Sequence, residues 1–281
     1  MPEGDTIFRS ARTLQRALGG DVIQRFESGL PQIAGIERHT TIVGRTIEQV
    51  EARGKHLLMH LSQSLVLRTH MRMQGSWHIY RPGEKWQRPR HQMRIVIETE
   101  RFCAVAFLVH EAEWLTEKDL PRSAVGRLGP DVLASEFDPE AAAQRIVAQG
   151  VRQIGDVLLD QRVLAGIGNV YRSELLFMAR VHPLKSAQSV SLERARFIAR
   201  EAARLLRENV GLVADREREG ALREVPGPGM RTTTRRCGER LWVYGRAGEE
   251  CLVCGGKIVG ELVGEHARRC YYCVGCQRAD A

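Results

Sequence analysis

The sequence predicts an α+β protein in two domains: a strand-rich sandwich flanked by an N-terminal helix, then a helical domain that ends in a cysteine-bearing hairpin. Three observations lead there. Apolar residues at Ile7, Ala11, Leu14 and Leu18 fall on one stripe of an amphipathic helix. Short β-branched runs fill the stretch from Asp21 to Val109, and helical periodicity fills Asp138 to Gly211. Five of the seven cysteines crowd into Cys251 to Cys276.

The first helix opens with Met1-Pro-Glu-Gly-Asp-Thr6. Asp5 or Thr6 can cap it, and Pro2 lies just ahead, so the α-amino group is expected near the positive end of the helix dipole, which disfavours an ammonium. Removal of Met1, which a small second residue permits, would leave a terminal proline with a secondary amine. Such an amine attacking an aldehyde-like carbon gives a cationic iminium, an electron sink that weakens neighbouring C–H and C–O bonds. Its reference pKa is below that of lysine, so more of it is neutral near pH 7. Glu3 stands beside it and can move protons. The competing reading is a start codon, a chance proline and a helix cap.

The strands are expected at Thr41-Ile-Val43, His56–Leu61, Leu65–Leu67, Arg94–Ile97 and Ala104–Val109. Two loops among them stand out. Arg53-Gly-Lys55-His56 sets a lysine at a glycine-bearing turn directly before a strand, where its default use is solvated surface. Thr69-His-Met-Arg-Met-Gln-Gly-Ser-Trp77 lies between two strands, and one of Met71 and Met73 is expected to be an ordinary core residue. Near Trp114 the strands are expected to stop, and Pro and Gly then break the chain through Pro130, the composition of an interdomain hinge that includes Arg127.

Asp138-Pro139 caps and starts a helix expected to run to Gln149. Ser191 opens another over Leu192–Glu208, with Leu192, Ala195, Ala199, Ala202 and Leu206 on one face. Between them, Ala165-Gly-Ile-Gly168 makes a tight turn and Asn169 starts the next helix. A glycine-rich turn feeding a helix exposes N–H groups that suit a phosphate. Residues 226–236 are basic and rich in Pro and Gly, as a linker is.

Cys251-Leu-Val-Cys254 and Cys270-Tyr-Tyr-Cys273-Val-Gly-Cys276 form two knuckles that supply four thiolates to a zinc ion. By spacing alone the second knuckle can use Cys270 and Cys273 or Cys273 and Cys276. An odd cysteine count crowded into one segment fits a metal in a reducing compartment better than a disulfide framework. Cys103 and Cys237 read as ordinary reduced thiols. The 42 Lys and Arg against 34 Asp and Glu give a net charge of +8 and suit a nucleic-acid partner. No apolar run approaches a membrane span, and the start lacks a signal-peptide layout, so a soluble cytoplasmic protein is expected.

Taken together, the opening hexapeptide, the Gly-Lys-His turn, the Met-Arg-Met loop, Arg127-Leu-Gly-Pro-Asp131, the long string around Asn169 and the terminal Cys-x-x-Cys-Gln resemble the Fpg/Nei family of DNA glycosylases. The opening is most like the endonuclease VIII (Nei) branch. The resemblance spans nearly the whole chain in the family's order. It implies a nucleophile at Pro2, an acid/base at Glu3 and a phosphate-contacting catalytic lysine at Lys55. It places Arg72 and Met73 at a loop tip that wedges the base stack and reads the orphaned base, with Met73 as the wedge, a residue more like the Fpg branch.

It further implies that Arg127 touches DNA, that Asn169, in a helix-two-turns-helix element, clamps phosphates, and that Arg268, with Arg269 as fallback, holds phosphate from the finger. The zinc ligands become Cys251, Cys254, Cys273 and Cys276, around one structural ion. The domains are expected at 1–118 (catalytic sandwich), 119–136 (hinge), 137–225 (helix-two-turns-helix) and 226–281 (connector and zinc finger).

The expected function is base-excision repair by a bifunctional glycosylase/AP lyase acting on oxidised bases, pyrimidines favoured, in damaged duplex DNA gripped in a basic cleft. A monomer without a nucleotide cofactor is expected. The alternatives are an oxidised-purine glycosylase and a non-catalytic zinc-dependent DNA-binding protein.

Overall fold

The structure is a computed structural model, and it describes residues 2–38, 40–211, 241–264 and 267–278. The connector at 226–236 and Cys237 lie outside the described residues. The chain divides into two compact units: Thr6–Arg127 with the residues before Glu3, and Leu128 onward with Glu3–Asp5.

In the first unit, α1 (Gly4–Leu18) follows the expected stripe, with Ile7, Ala11, Leu14 and Leu18 all buried. Full burial of the Ile7, Leu14 and Leu18 side chains stabilises by about 1.5–3 kcal/mol each. Because α1 begins at Gly4, Asp5 and Thr6 lie inside its first turn; the cap position falls two or three residues earlier than expected.

The stripe packs on a sandwich of two four-stranded antiparallel sheets. One has the order β2 (Ile47–Arg53), β3 (His56–Leu61), β4 (Leu65–His70), β8 (Glu111–Thr116); the other β1 (Arg25–Ser28), β6 (Met93–Glu98), β7 (Cys103–Phe107), β5 (Ser76–Tyr80). Leu57, Met59 and Leu67 of the first sheet meet Ile95, Ile97, Ala104 and Ala106 of the second in a single core. A short helix, α2 (Pro31–Ala34), adds Ile33 to it.

Two sequence expectations are corrected. Thr41-Ile-Val43 is loop, although Ile42 is fully buried: a buried apolar residue anchors a loop as well as a strand. The strands do not stop at Trp114, which lies within β8; its ring packs 5.7 Å from Phe26 and its indole N–H donates to the Ile33 carbonyl at 3.1 Å.

The second unit contains α3 (Pro139–Val147), the single turn α4 (Ile154–Val157), α5 (Asn169–Met178), α6 (Leu192–Val210) and a hairpin of β9 (Ile258–Val263) and β10 (Arg268–Cys273). The Asp138 carboxylate accepts from the Glu140 N–H and the Ser191 hydroxyl from Arg194 N–H, the caps the sequence announced. Gly211 closes α6 at φ +70, a conformation that favours glycine. Ala195, Ala199, Ala202 and Leu206 are buried as expected, whereas Leu192 is exposed at the helix start.

Candidate active site and nucleic-acid interface

Glu3 is fully buried, and its carboxylate sits on the first turn of α5. One oxygen accepts from Gly168 N–H at 2.9 Å and more weakly from Tyr171 N–H at 3.4 Å; the other accepts from Val170 N–H at 2.8 Å. No side chain of the Gly168 cap position serves the helix, so an anion from the opposite end of the sequence satisfies its orphan donors and faces its positive pole.

The glycines of the turn are what permit this approach. A Cβ on Gly168 would stand 2.2 Å from the Glu3 carboxyl carbon, and one on Gly4 would stand 2.8 Å from the Gly166 Cα. Gly4 N–H also donates to the Gly166 carbonyl at 2.9 Å. From sequence the exposed N–H groups of this turn suit a phosphate; in the structure those of residues 168, 170 and 171 hold an internal carboxylate instead. Pro2, half-buried, is one peptide unit away from this anchored residue.

Asn169 begins α5 and reaches β10. Its Nδ2 donates to the Arg269 carbonyl at 2.9 Å, while its Oδ1 accepts from Arg172 Nη2 at 2.5 Å. Arg268 is exposed and opens β10 after the hairpin turn, paired with Val263. A second internal carboxylate secures the approach to the finger. Glu174, also on α5 and buried, accepts from the N–H groups of Trp242, Val243 and Tyr244 at 2.8–2.9 Å, and burial pushes its pKa up.

The sulfurs of Cys251, Cys254, Cys273 and Cys276 all lie within 4.8 Å of one another and can hold a metal ion. Tetrahedral thiolates at zinc stand about 3.8 Å apart, and here Cys251 and Cys276 are separated by 3.9 Å and Cys254 and Cys273 by 3.5 Å. Backbone N–H groups of Val253, Gly256 and Cys276 point at three of the sulfurs from 3.4 Å, as donors to thiolates do. The donor set therefore fits zinc. Cys270 lies outside the cluster, buried 3.8 Å from the Ser173 hydroxyl.

In the first unit, Lys55 is buried in the turn between β2 and β3, beyond Gly54 at φ +57. The β3–β4 register sets His56 opposite His70, with ring centroids 4.9 Å apart. Arg68 Nη1 meets His56 Nδ1 at 2.9 Å and Arg68 Nε donates to Glu113 at 2.5 Å. Burial, then the charges of His70 and Arg68, hold His56 down at about 3.

The β4–β5 loop follows directly. Met71 is 2% exposed and belongs to the core, whereas Met73 is 66% exposed at the tip. Arg72 sits at φ +52, its Nε donating to Glu111 at 2.6 Å and its backbone N–H to His70 Nδ1 at 3.2 Å. Arg127 is exposed.

Of the residues singled out from sequence, Lys55, Arg72, Met73 and Arg127 thus belong to the first unit, as does Pro2. Glu3, Asn169, Arg268, Arg269 and the four cysteines belong to the second. Sequence reasoning missed Arg172, Glu174 and Glu111. Arg172 stands three residues after Asn169, hence on the same helical face, and that spacing was the available signal.

Residues 1–110 match the formamidopyrimidine-DNA glycosylase N-terminal domain, and residues 128–218 match the formamidopyrimidine-DNA glycosylase H2TH domain. The chain belongs to this family of DNA glycosylases, which includes the endonuclease 8 proteins. It is 39% identical over 284 residues to the probable endonuclease 8 2 of Streptomyces coelicolor, covering 100% of this chain and 95% of that one. It is 36% identical to the DNA-(apurinic or apyrimidinic site) lyase Nei2 of Mycolicibacterium smegmatis, covering 99% of this chain and 100% of that one. The fold matches the Lactococcus lactis Fpg solved with abasic-site DNA at a TM-score of 0.80 and 21% identity, over 99% of this chain and 100% of that one.

Proposed function

We propose that the chain is a bifunctional DNA glycosylase/AP lyase of base-excision repair that excises oxidised bases from duplex DNA, pyrimidines in preference, and nicks the strand. The observation that carries the reading is the anchoring of Glu3 on the first turn of α5. It holds a carboxylate at one address and fixes the residue before it, which a free Pro2 amine requires if it is to meet a sugar carbon in one orientation.

In this mechanism Met1 has been removed. The Pro2 nitrogen attacks C1′, the glycosidic bond breaks, and the base leaves with the bonding electrons and a proton. Glu3 moves that proton or the one on the opening sugar oxygen. The resulting iminium acidifies the C2′–H; its loss expels the 3′ phosphate by β-elimination, and δ-elimination then expels the 5′ phosphate. Lys55 and Arg268 neutralise charge on the departing phosphates.

Met73 fills the gap in the base stack, Arg72 reads the unpaired base, and Asn169 and Arg127 hold the backbone. Cys251, Cys254, Cys273 and Cys276 hold one structural zinc ion that stiffens the hairpin bearing Arg268. The enzyme works as a monomer without a nucleotide cofactor, with functional divisions at 1–118, 119–136, 137–225 and 226–281.

The test is borohydride trapping on abasic-site duplex. The mature protein should crosslink to the DNA, its intact mass should show Met1 absent, and Pro2→Thr should abolish the adduct. Active protein that retains Met1 sinks the proline mechanism. Duplexes carrying thymine glycol, 5-hydroxycytosine, 8-oxoguanine or a bare abasic site rank the substrates: greatest activity on 8-oxoguanine would replace the pyrimidine preference with a purine one, and cleavage of none would favour a non-catalytic DNA-binding protein.

A further inference from the structure

The Arg172 guanidinium is wholly buried yet poorly satisfied. Its Nη2 donates to Asn169 Oδ1 at 2.5 Å, to the Arg269 carbonyl at 3.1 Å and to the Arg268 carbonyl at 3.3 Å, whereas Nε and Nη1 find no acceptor among the described residues. Burying a cation with two donors unmatched is unfavourable, and an apolar side chain of similar volume would serve packing better. Its value must lie in what Nη2 orders.

The order it imposes is specific. An asparagine amide can be placed either way round, and its neighbours decide. With a guanidinium on one side and the Arg269 carbonyl on the other, the reversed amide would set donor against donor and acceptor against acceptor. Arg172 thereby turns the Asn169 NH₂ toward β10, where it donates to Arg269 O at 2.9 Å and also hydrogen-bonds the Tyr244 side chain. The same Nη2 binds the carbonyls of Arg268 and Arg269, so it also fixes the backbone from which the Arg268 side chain projects.

We infer that Arg172 is a positioning residue that presets Asn169 and Arg268 as a paired phosphate clamp, without itself touching DNA. This rests on the reading above in which Asn169 and Arg268 hold phosphate. It assigns a function to a residue that the sequence reading left without one.

The experiment measures the affinity of full-length protein for duplex containing a tetrahydrofuran abasic analogue, at several salt concentrations, with zinc content and Tm recorded. The variants are Asn169→Ala, Arg172→Met, Arg172→Lys and the double variants, so the comparison stands on whichever Arg172 variant keeps its zinc. Arg172→Met should weaken binding about ten-fold or more, the scale of a lost charge-assisted hydrogen bond, and should add little on top of Asn169→Ala. Arg172→Lys, which keeps the charge without the planar fork, should recover little.

The slope of log K against log salt should not change, because no phosphate contact is lost. Independent, multiplicative effects of Arg172 and Asn169 overturn the proposal. So does a slope smaller by about 0.9, which would mean direct phosphate contact, or wild-type affinity in Arg172→Met while Asn169→Ala binds weakly. If Asn169→Ala itself binds normally, the phosphate reading of Asn169 fails first and the positioning role goes with it.

Discussion

Glu3 and Gly168 stand 165 residues apart in sequence and in hydrogen-bond contact in the fold: a carboxylate oxygen accepts the glycine N–H at 2.9 Å, with no room between them for a Cβ. This pairing joins the proposed catalytic start of the chain to the helix that carries Asn169, and it makes the following substitution informative.

Gly168→Ala should displace the Glu3 carboxylate, because the new methyl would occupy the place of its carboxyl carbon. The expected cost is on the order of 1–3 kcal/mol of stability, as for overpacking elsewhere. Trapping on abasic DNA should fall by at least about ten-fold, since misplacing reacting groups by an ångström is costly to rate. Thermal melting and borohydride adduct yield read the two effects. An alanine variant with wild-type adduct yield would show that Glu3 need not be held there.

The two methionines of the β4–β5 loop should separate stability from function. Met71→Ala, in the core, should cost about 2–5 kcal/mol by urea unfolding. Met73→Ala, at the exposed tip, should change stability by no more than about 0.5 kcal/mol while reducing excision of a paired lesion. Its effect should be much smaller on single-stranded substrate, where nothing has to be unstacked. Equal loss on both substrates would argue against a wedge.

Acid should destabilise the protein through His56 and His70. Unfolded imidazoles take up protons near 6.5, but burial, aided for His56 by the charges of His70 and Arg68, keeps the folded values at about 3 and, for His70, about 4. The unfolded state therefore binds more protons below pH 6.5, and stability should fall from there towards pH 4 by up to about 1.4 kcal/mol per pH unit for each ring.

His60 has the opposite sign. Its hydrogen bond to Glu51 leads in raising its pKa, so its contribution is complete below 6.5 and is lost as pH rises through the raised value. Unfolding free energies from pH 4 to 8 for wild type, His56→Asn and His60→Asn should show a flattened acid limb in the first variant and a reduced loss above pH 6.5 in the second.

Metal analysis should find one zinc per chain, lost in Cys254→Ser and Cys276→Ser but kept in Cys270→Ser, whose sulfur lies outside the cluster. Stripping the ion with a strong chelator should abolish tight DNA binding, because Arg268 projects from the hairpin that these cysteines pin. It should also release protons on reloading: the Gly256 N–H holds the Cys254 thiol down at about 7, whereas burial pushes Cys276 up to about 12, so the latter must be deprotonated by the metal. Zinc retained in Cys276→Ser and lost in Cys270→Ser would reverse the ligand assignment.

Much of this protein was readable from local pattern. The α1 stripe, the caps at Asp138 and Ser191 and the paired Cys-x-x-Cys knuckles each depend on spacing within a few residues, and the sequence carries that spacing on its face. Strands were harder. Trp114 reads as the end of the strands because β8 buries only Ala112 and so lacks a clean alternation, and Ile42 reads as a strand because burial alone does not distinguish a loop anchor from a ladder.

The amino-acid order by itself determined which residue types were on offer: an imino acid at position 2 with a carboxylate beside it, a glycine turn ahead of Asn169, and four thiols in two pairs. The tertiary structure decided what they bind. The turn's N–H groups could have met any anion, and only folding delivered the Glu3 carboxylate to them. The amide of Asn169 has no preferred end until Arg172 and the Arg269 carbonyl flank it. Hydrogen bonds between residues a hundred positions apart leave no periodicity in the chain, because their partners are chosen by packing.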